Sequence, residues 1–154
     1  MGSSGEDPYC RALLRQELIR DEGLRYAPYR DSLGYWTIGV GHLIRGDETF
    51  SKPISHTRVL EILERDILAA ECTLDKLCPA WIELDDVRQR ALLNLAFNLG
   101  GKLGKFKNFL KAVAKSDWNQ AAIQLENSLW YRQVKSRGPR IVHAIKTGTP
   151  WDGD

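Results

Sequence analysis

The sequence predicts an α+β fold, with a small sheet near its N-terminus and helices through most of the rest. Three observations carry that prediction. Residues 25–46 change from helical to alternating spacing. An amphipathic run of about twenty residues follows, and beyond Pro79 the apolar residues return to helical spacing. With 154 residues the chain is one domain, 1–154, able to bury a substantial core. Its expected division is a small lobe over about 20–54 and a helical lobe over 78–154 plus 6–19, joined by a helix over about 55–77.

The elements follow in order. Asp7-Pro8 reads as an N-cap with proline in the first helical turn. Leu13, Leu14 and Leu18 then form an apolar stripe that Glu22-Gly23 ends, with glycine at the C′ position. In Tyr35–Gly41 the residues alternate, placing Trp36, Ile38 and Val40 on one face and Thr37, Gly39 and Gly41 on the other. Asp31-Ser32-Leu33-Gly34 is a turn, so the segment is a hairpin-based sheet.

Ser55 is the expected N-cap of the linking helix, with Ile54 and Val59 as its hydrophobic staple. Val59, Ile62, Leu63, Ile67, Ala70 and Leu74 make up its buried stripe. Asp85 or Asp86 caps the next helix, which is apolar nearly all round from Ala91 to Leu99 and stops at Gly100-Gly101. Shorter helices are expected over Phe106–Lys115, Asp117–Leu129 and Pro139–Lys146, the last capped by Gly148.

A composition of 43% hydrophobic and 27% charged residues is that of an ordinary globular domain. A net charge of +2 gives a weak bias towards anionic partners such as a bacterial cell wall. Basic residues interspersed with acids do not suggest a nucleic-acid binder. No apolar run reaches the roughly 20 residues that cross a bilayer, so stable membrane insertion is not expected. MGSSGEDPYC lacks the basic and apolar regions of a signal peptide, and MGSSG is left out of the fold argument. Cys10, Cys72 and Cys78 have no metal-binding spacing and read as reduced thiols. Neither a metal nor a cofactor is expected, and nothing suggests more than a monomer.

The chemistry gathers in DEGLRYAPYRDSLGYWTIGVGH, residues 21–42. Glu22 ends a helix, where the dipole disfavours a carboxylate and shielding from water favours its protonated form. Asp31 lies on an exposed turn. Two carboxyls in contrasting settings suit glycoside hydrolysis, which needs an acid on the leaving oxygen and a carboxylate across the sugar ring. Gly39 and Gly41 leave room for a ligand beside Thr37, whose hydroxyl could hold a water. From spacing alone, Glu22 as a surface helix end and Asp31 as a turn former remain open. Asp66 falls in the apolar stripe and needs a partner. His42 is the candidate, in a structural ion pair; no GxSxG elbow supports a serine-hydrolase alternative.

ELIRDEGLRYAPYRDSLGYWTIGVGHL resembles the catalytic segment of the bacteriophage-type lysozymes, the endolysin family. The shared pattern is Glu-Gly, an Asp eight positions after that glycine, then Gly-Tyr-x-Thr-Ile-Gly-x-Gly-His. DVRQRALLNLAFNLG, SLWYRQ and KTGTPWD extend the similarity in the same order. The resemblance implies a lysozyme-like two-lobed fold. It also implies hydrolysis of the β-1,4 bond between N-acetylmuramic acid and N-acetylglucosamine in peptidoglycan, by an inverting route.

By position Glu22 matches the proton donor, Asp31 the second carboxylate and Thr37 the residue that helps hold the water. Arg137 matches the arginine that pairs with the glutamate, and His42 with Asp66 the pair joining sheet to helix. Leu43, Phe97 and Asn98 stand at cleft positions. Phe109 and Gln124 depart from the family's usual small hydroxyl and asparagine, which bears on peptide-stem preference. The expected role is lysis of the host wall from within, the protein accumulating in the cytoplasm and reaching the wall through a separate pore protein. A catalytically silent wall-binding module, a bacterial effector and a tail-associated lysozyme are the alternatives.

Overall fold

The computed structural model describes residues 8–50 and 52–151. Helix α1 spans Arg11–Glu22 and buries Leu14 and Leu18. It starts later than Asp7-Pro8 suggests. Cys10 is its N-cap and offers no side-chain cap, while Asp7 lies outside the described residues. Tertiary contacts set this start: the Cys10 amide donates to Asp86 Oδ1 at 2.9 Å, and the buried Tyr9 gives its hydroxyl to Glu71 at 2.6 Å.

Strands β1 (Arg25–Arg30), β2 (Trp36–Gly39) and β3 (His42–Leu43) form an antiparallel sheet in that order. Tyr29 opposes Thr37, Thr37 opposes Leu43, and Ile38 opposes His42. Opposed residues share a face of the sheet, so Tyr29, Thr37 and Leu43 form one face and Ile38 with His42 the other. Trp36 keeps the face that alternation gives it, with Ile38, but is not buried there. Its ring is 50% exposed and stacks under the Arg30 guanidinium at 4.5 Å, while Ile38 and Val40 are buried. Trp36 opens the strand opposite Arg30, at the hairpin end of the sheet, and finds its partner there.

Helix α2 (His56–Leu77) runs from the sheet into the helical part of the molecule. Ser55 caps it by accepting from the Arg58 amide, and its buried residues are the six of the predicted stripe. A short 3-10 helix, Pro79–Glu83, leads into α3 (Asp86–Leu99), whose N-cap is Asp85. Helix α3 is buried from Gln89 to Ala96, and Gly100 ends it at φ +56°. A 3-10 segment, Gly100–Lys105, precedes α4 (Lys107–Ala114) and α5 (Trp118–Glu126).

The single helix expected over 117–129 breaks at Asn127. Ser128 caps a separate α6 (Leu129–Gln133) by accepting from the Tyr131 amide. Helix α7 (Arg137–Thr147) starts two residues before Pro139, which the first turn accommodates. A Cβ on Gly138 would lie 2.9 Å from the Tyr131 ring, so only glycine lets α7 approach α6 this closely. One apolar cluster joins Leu14 and Leu18 of α1, Val59 to Leu74 of α2, and α3 through α7.

Candidate active site

The end of α1 carries two consecutive carboxylates with different surroundings. Asp21 is fully enclosed: its side chain is 0% exposed and accepts from Asn94 Nδ2 at 2.8 Å, Arg140 Nη1 at 2.8 Å and Arg20 Nε at 3.1 Å. Burial works to raise its pKa, but the hydrogen bonds from Arg20 and Asn94 and the charges of Arg137 and Arg20 outweigh it and leave it lowered. Glu22 points the other way. Gly23 stops the helix with its amide on the Ile19 carbonyl, and Glu22 Oε2 accepts from Arg137 Nη2 at 2.8 Å. The same guanidinium sets Nε 3.6 Å from Asp21 Oδ2.

Gly41 closes the other side of Glu22. A Cβ there would fall 2.4 Å from Glu22 Oε1, and the backbone is left-handed at φ +62°. The glycine therefore permits the carboxylate to lie against the β2–β3 turn, which fixes it beside the sheet face that carries Thr37.

Asp31 heads the β1–β2 turn. Its Oδ1 accepts from the amides of Leu33 at 2.9 Å and Tyr35 at 2.8 Å, leaving Oδ2 without a hydrogen bond among the described residues. Thr37 is buried and donates its hydroxyl to the Tyr35 carbonyl at 2.9 Å, so its oxygen can accept from a water. Tyr29, opposite Thr37, links the two acids. Burial first, then the charges of Glu22 and Asp31, push its phenol up against the opposing charge of Arg25, whose guanidinium lies 4.8 Å from the ring.

His42 faces away from this group. Its Nδ1 lies 2.7 Å from Asp66 Oδ2, and its Nε2 lies 3.1 Å from both oxygens of Glu48. A neutral imidazole has one N–H, so donating to both carboxylates requires the protonated ring. The Asp66 hydrogen bond raises its pKa first; burial opposes, and the Asp66 charge and Glu48 add to the rise. Glu48 also accepts from the Arg45 amide, which ties the loop after β3 to the same histidine.

The expected cleft residues divide. Leu43 is 49% exposed on the Thr37 face. Phe97 is half-buried and packs against the core. Asn98 is exposed, and its Oδ1 accepts from the Trp130 indole at 2.8 Å. Phe109 is only 1% exposed, a core ring first and at most the floor of a depression shared with Gln124, Lys105, Phe106, Lys107 and Asn108. Sequence reasoning missed Asp21, Tyr29, Gly41 as the seat of Glu22, Glu48, Asn94 and Arg140. Only Asp21, Tyr29 and Gly41 gave a signal, as residues of the quoted stretch 21–42. Among the described residues no three His, Cys, Asp or Glu side chains gather as a metal site.

An acid at a helix end, clamped between an arginine from the last helix and a glycine turn of a three-stranded sheet, defines a class of chain. The sequence pattern of the phage lysozyme family matches residues 19–143, and the chain belongs to that family. It is 35% identical to the pre-baseplate central spike protein Gp5 of Enterobacteria phage T4 over 88% of its own length, and spans 28% of that protein. It is 31% identical to probable T4-type lysozyme 2 of Dictyostelium discoideum, covering 88% of this chain and 95% of that one. With the SAR-endolysin of Escherichia phage Mu it shares 29% identity, over 82% of this chain and 71% of the relative.

Proposed function

We propose that this chain is a muramidase, a glycoside hydrolase that cleaves the β-1,4 bond between N-acetylmuramic acid and N-acetylglucosamine of bacterial peptidoglycan. The observation that carries the reading is Glu22, held at the edge of the Thr37 face by Arg137 and Gly41. In its acid form Glu22 protonates the glycosidic oxygen, and Arg137 then stabilises the carboxylate left behind. Asp31 keeps Oδ2 available while two amides fix Oδ1, which suits a carboxylate that orients a water together with the Thr37 oxygen. Attack by that water from the face opposite the leaving group inverts the anomeric centre.

The glycan runs in the space between a small lobe, about 20–54, and a helical lobe, 78–154 with 6–19. The α2 helix joins them, and Leu43, Phe97, Asn98 and Gln124 border the sugars. The protein acts as a monomer without cofactor, accumulates in the cytoplasm of the infected bacterium, reaches the periplasmic wall through a separate pore protein and lyses the host. No helix among the described residues is long and apolar enough to cross a membrane.

Purified peptidoglycan tests the reaction. Wild type should release reducing sugar ends, and Glu22→Gln and Asp31→Ala should lose most of that activity. Wild type that releases none, or Glu22→Gln that stays fully active, rejects the reading. NMR of the first-formed anomer decides inversion. The likeness to the phage T4 spike protein favours a second setting, the same hydrolysis carried on a phage particle. Antibody detection of the chain in purified particles would favour that setting over release inside the host.

A further inference from the structure

The interspersion of acids and bases seen along the whole sequence breaks down between Asp86 and Asp117. Those thirty intervening residues contain no Asp or Glu, yet they hold five lysines: Lys102, Lys105, Lys107, Lys111 and Lys115. All five are exposed, and among the described residues none of them makes a hydrogen bond or ion pair through its ammonium group. Of the acids on neighbouring elements, Asp117 caps α5 and Asp75 accepts from the Trp81 indole, while the exposed Glu126 at the end of α5 pairs with none of the five lysines. In a chain of net charge +2 this is a local concentration of one sign.

Helix geometry orders part of it. Phe109, Ala112 and Val113 form the buried face of α4, and Lys107, Lys111 and Lys115 recur every fourth residue on the exposed side. That spacing sets successive lysine backbone positions about 6 Å apart along the axis. Helix stability does not account for the row. A cation suits Lys115 at the C-cap, but Lys107 occupies the first position of α4, where the dipole disfavours positive charge.

We propose that the Lys107–Lys111–Lys115 row, continued by Lys102 and Lys105, is a docking surface for a linear polyol phosphodiester polymer of the bacterial envelope. Lysines are compact point charges that meet phosphates without fixed geometry, and residues 91–131 contain no arginine, whose fork would impose bidentate geometry on the ligand. Single-stranded nucleic-acid sites add exposed rings on which bases stack, and amphipathic membrane anchors add exposed apolar side chains. None of the exposed large hydrophobic side chains lies between residues 83 and 122. The surface therefore offers charge alone, which suits a base-free phosphate chain. The inference rests on the wall-directed function only for where the polymer resides; the binding is independent of hydrolysis.

Titration of the full chain with poly(glycerol phosphate) at several salt concentrations tests it. Wild type should bind, with affinity falling steeply as salt rises. Lys111→Gln/Lys115→Gln, at positions beyond the Gln124 depression, should bind at least tenfold more weakly at low salt, with a log–log salt slope shallower by about 1.4. Its unfolding midpoint and its hydrolysis of polymer-free peptidoglycan should match wild type. Adding Lys107→Gln should weaken binding further. Glu22→Gln should bind the polymer as wild type does, so a wild type that binds the polymer but hydrolyses no peptidoglycan counts against the muramidase reading alone. The docking surface is overturned if wild type does not bind, if the double variant binds as wild type does, or if an oligonucleotide of equal charge or anionic phospholipid vesicles bind more tightly than the polymer.

Discussion

Arg137 and Glu22 stand 115 positions apart in the chain and meet at 2.8 Å, with the arginine side chain 6% exposed and the glutamate 16%. The same guanidinium turns Nε towards Asp21, so one side chain from α7 holds both carboxylates at the end of α1. Arg137→Met should lower the unfolding free energy by about 2–3 kcal/mol, because it strips a partly buried carboxylate of its partner. Arg137→Lys should restore part of that stability but less of the activity, since an ammonium cannot span two carboxylates. Urea unfolding and hydrolysis rates of the two variants check this; equal stability in Arg137→Met and wild type would contradict it.

Gly41 fixes the opposite side of Glu22. Gly41→Ala forces a Cβ to within 2.4 Å of Glu22 Oε1 and strains a left-handed backbone. The expected cost is about 1–3 kcal/mol, with hydrolysis falling by more than the stability loss explains because the acid itself must move. Activity measured well below the variant's unfolding midpoint separates the two effects. Unchanged hydrolysis there would mean Glu22 can act from another position.

His42 gives the fold a defined pH response. Its pKa is raised by the Asp66 hydrogen bond first, with burial opposing and Glu48 assisting. The folded ring thus holds its proton more tightly than an unfolded histidine near 6.5. Its contribution is complete below that unfolded value and is lost as pH rises through the higher folded value. Asp66→Asn should lower the unfolding midpoint most at pH 6 and flatten the fall above it, and Glu48→Gln should do the same to a smaller extent. Thermal unfolding of the three proteins between pH 5 and 9 provides the comparison, and superimposable profiles would remove His42 from this role.

Asn98 has a structural duty whatever sugar it meets. Its Oδ1 is the acceptor for the Trp130 indole, and Trp130 is buried. Asn98→Ala should therefore destabilise by about 1–2 kcal/mol through an unpaired buried N–H. An amide that served only the substrate would leave the unfolding midpoint unchanged.

The local signals in the sequence were strong wherever one stretch of chain decides its own conformation. Ser55 and Asp85 as caps, the six-residue stripe of α2, the Asp31 turn and the Gly23 stop all depend on backbone hydrogen bonds or on a single periodic face. The same locality explains the errors. Asp7-Pro8 has the form of a helix start, but contacts to Asp86 and Glu71 fix the segment before Arg11. Trp36 keeps its alternating face, but its exposure is set from outside the strand, by Arg30 across the hairpin.

What the sequence determined by itself was the order of elements and the residue types that could do the chemistry: an acid at a helix end, another on a turn, and a hydroxyl on a glycine-lined strand. Which neighbours those groups would have was decided only by the tertiary structure. Asp21 and Glu22 are adjacent acids on one helix turn; one became an enclosed anchor and the other the candidate acid, because α3 and α7 close over the first while Gly41 and Arg137 seat the second. Electrostatics and close packing act across space, through residues from 19 to 119 positions away, and local periodicity carries no record of them.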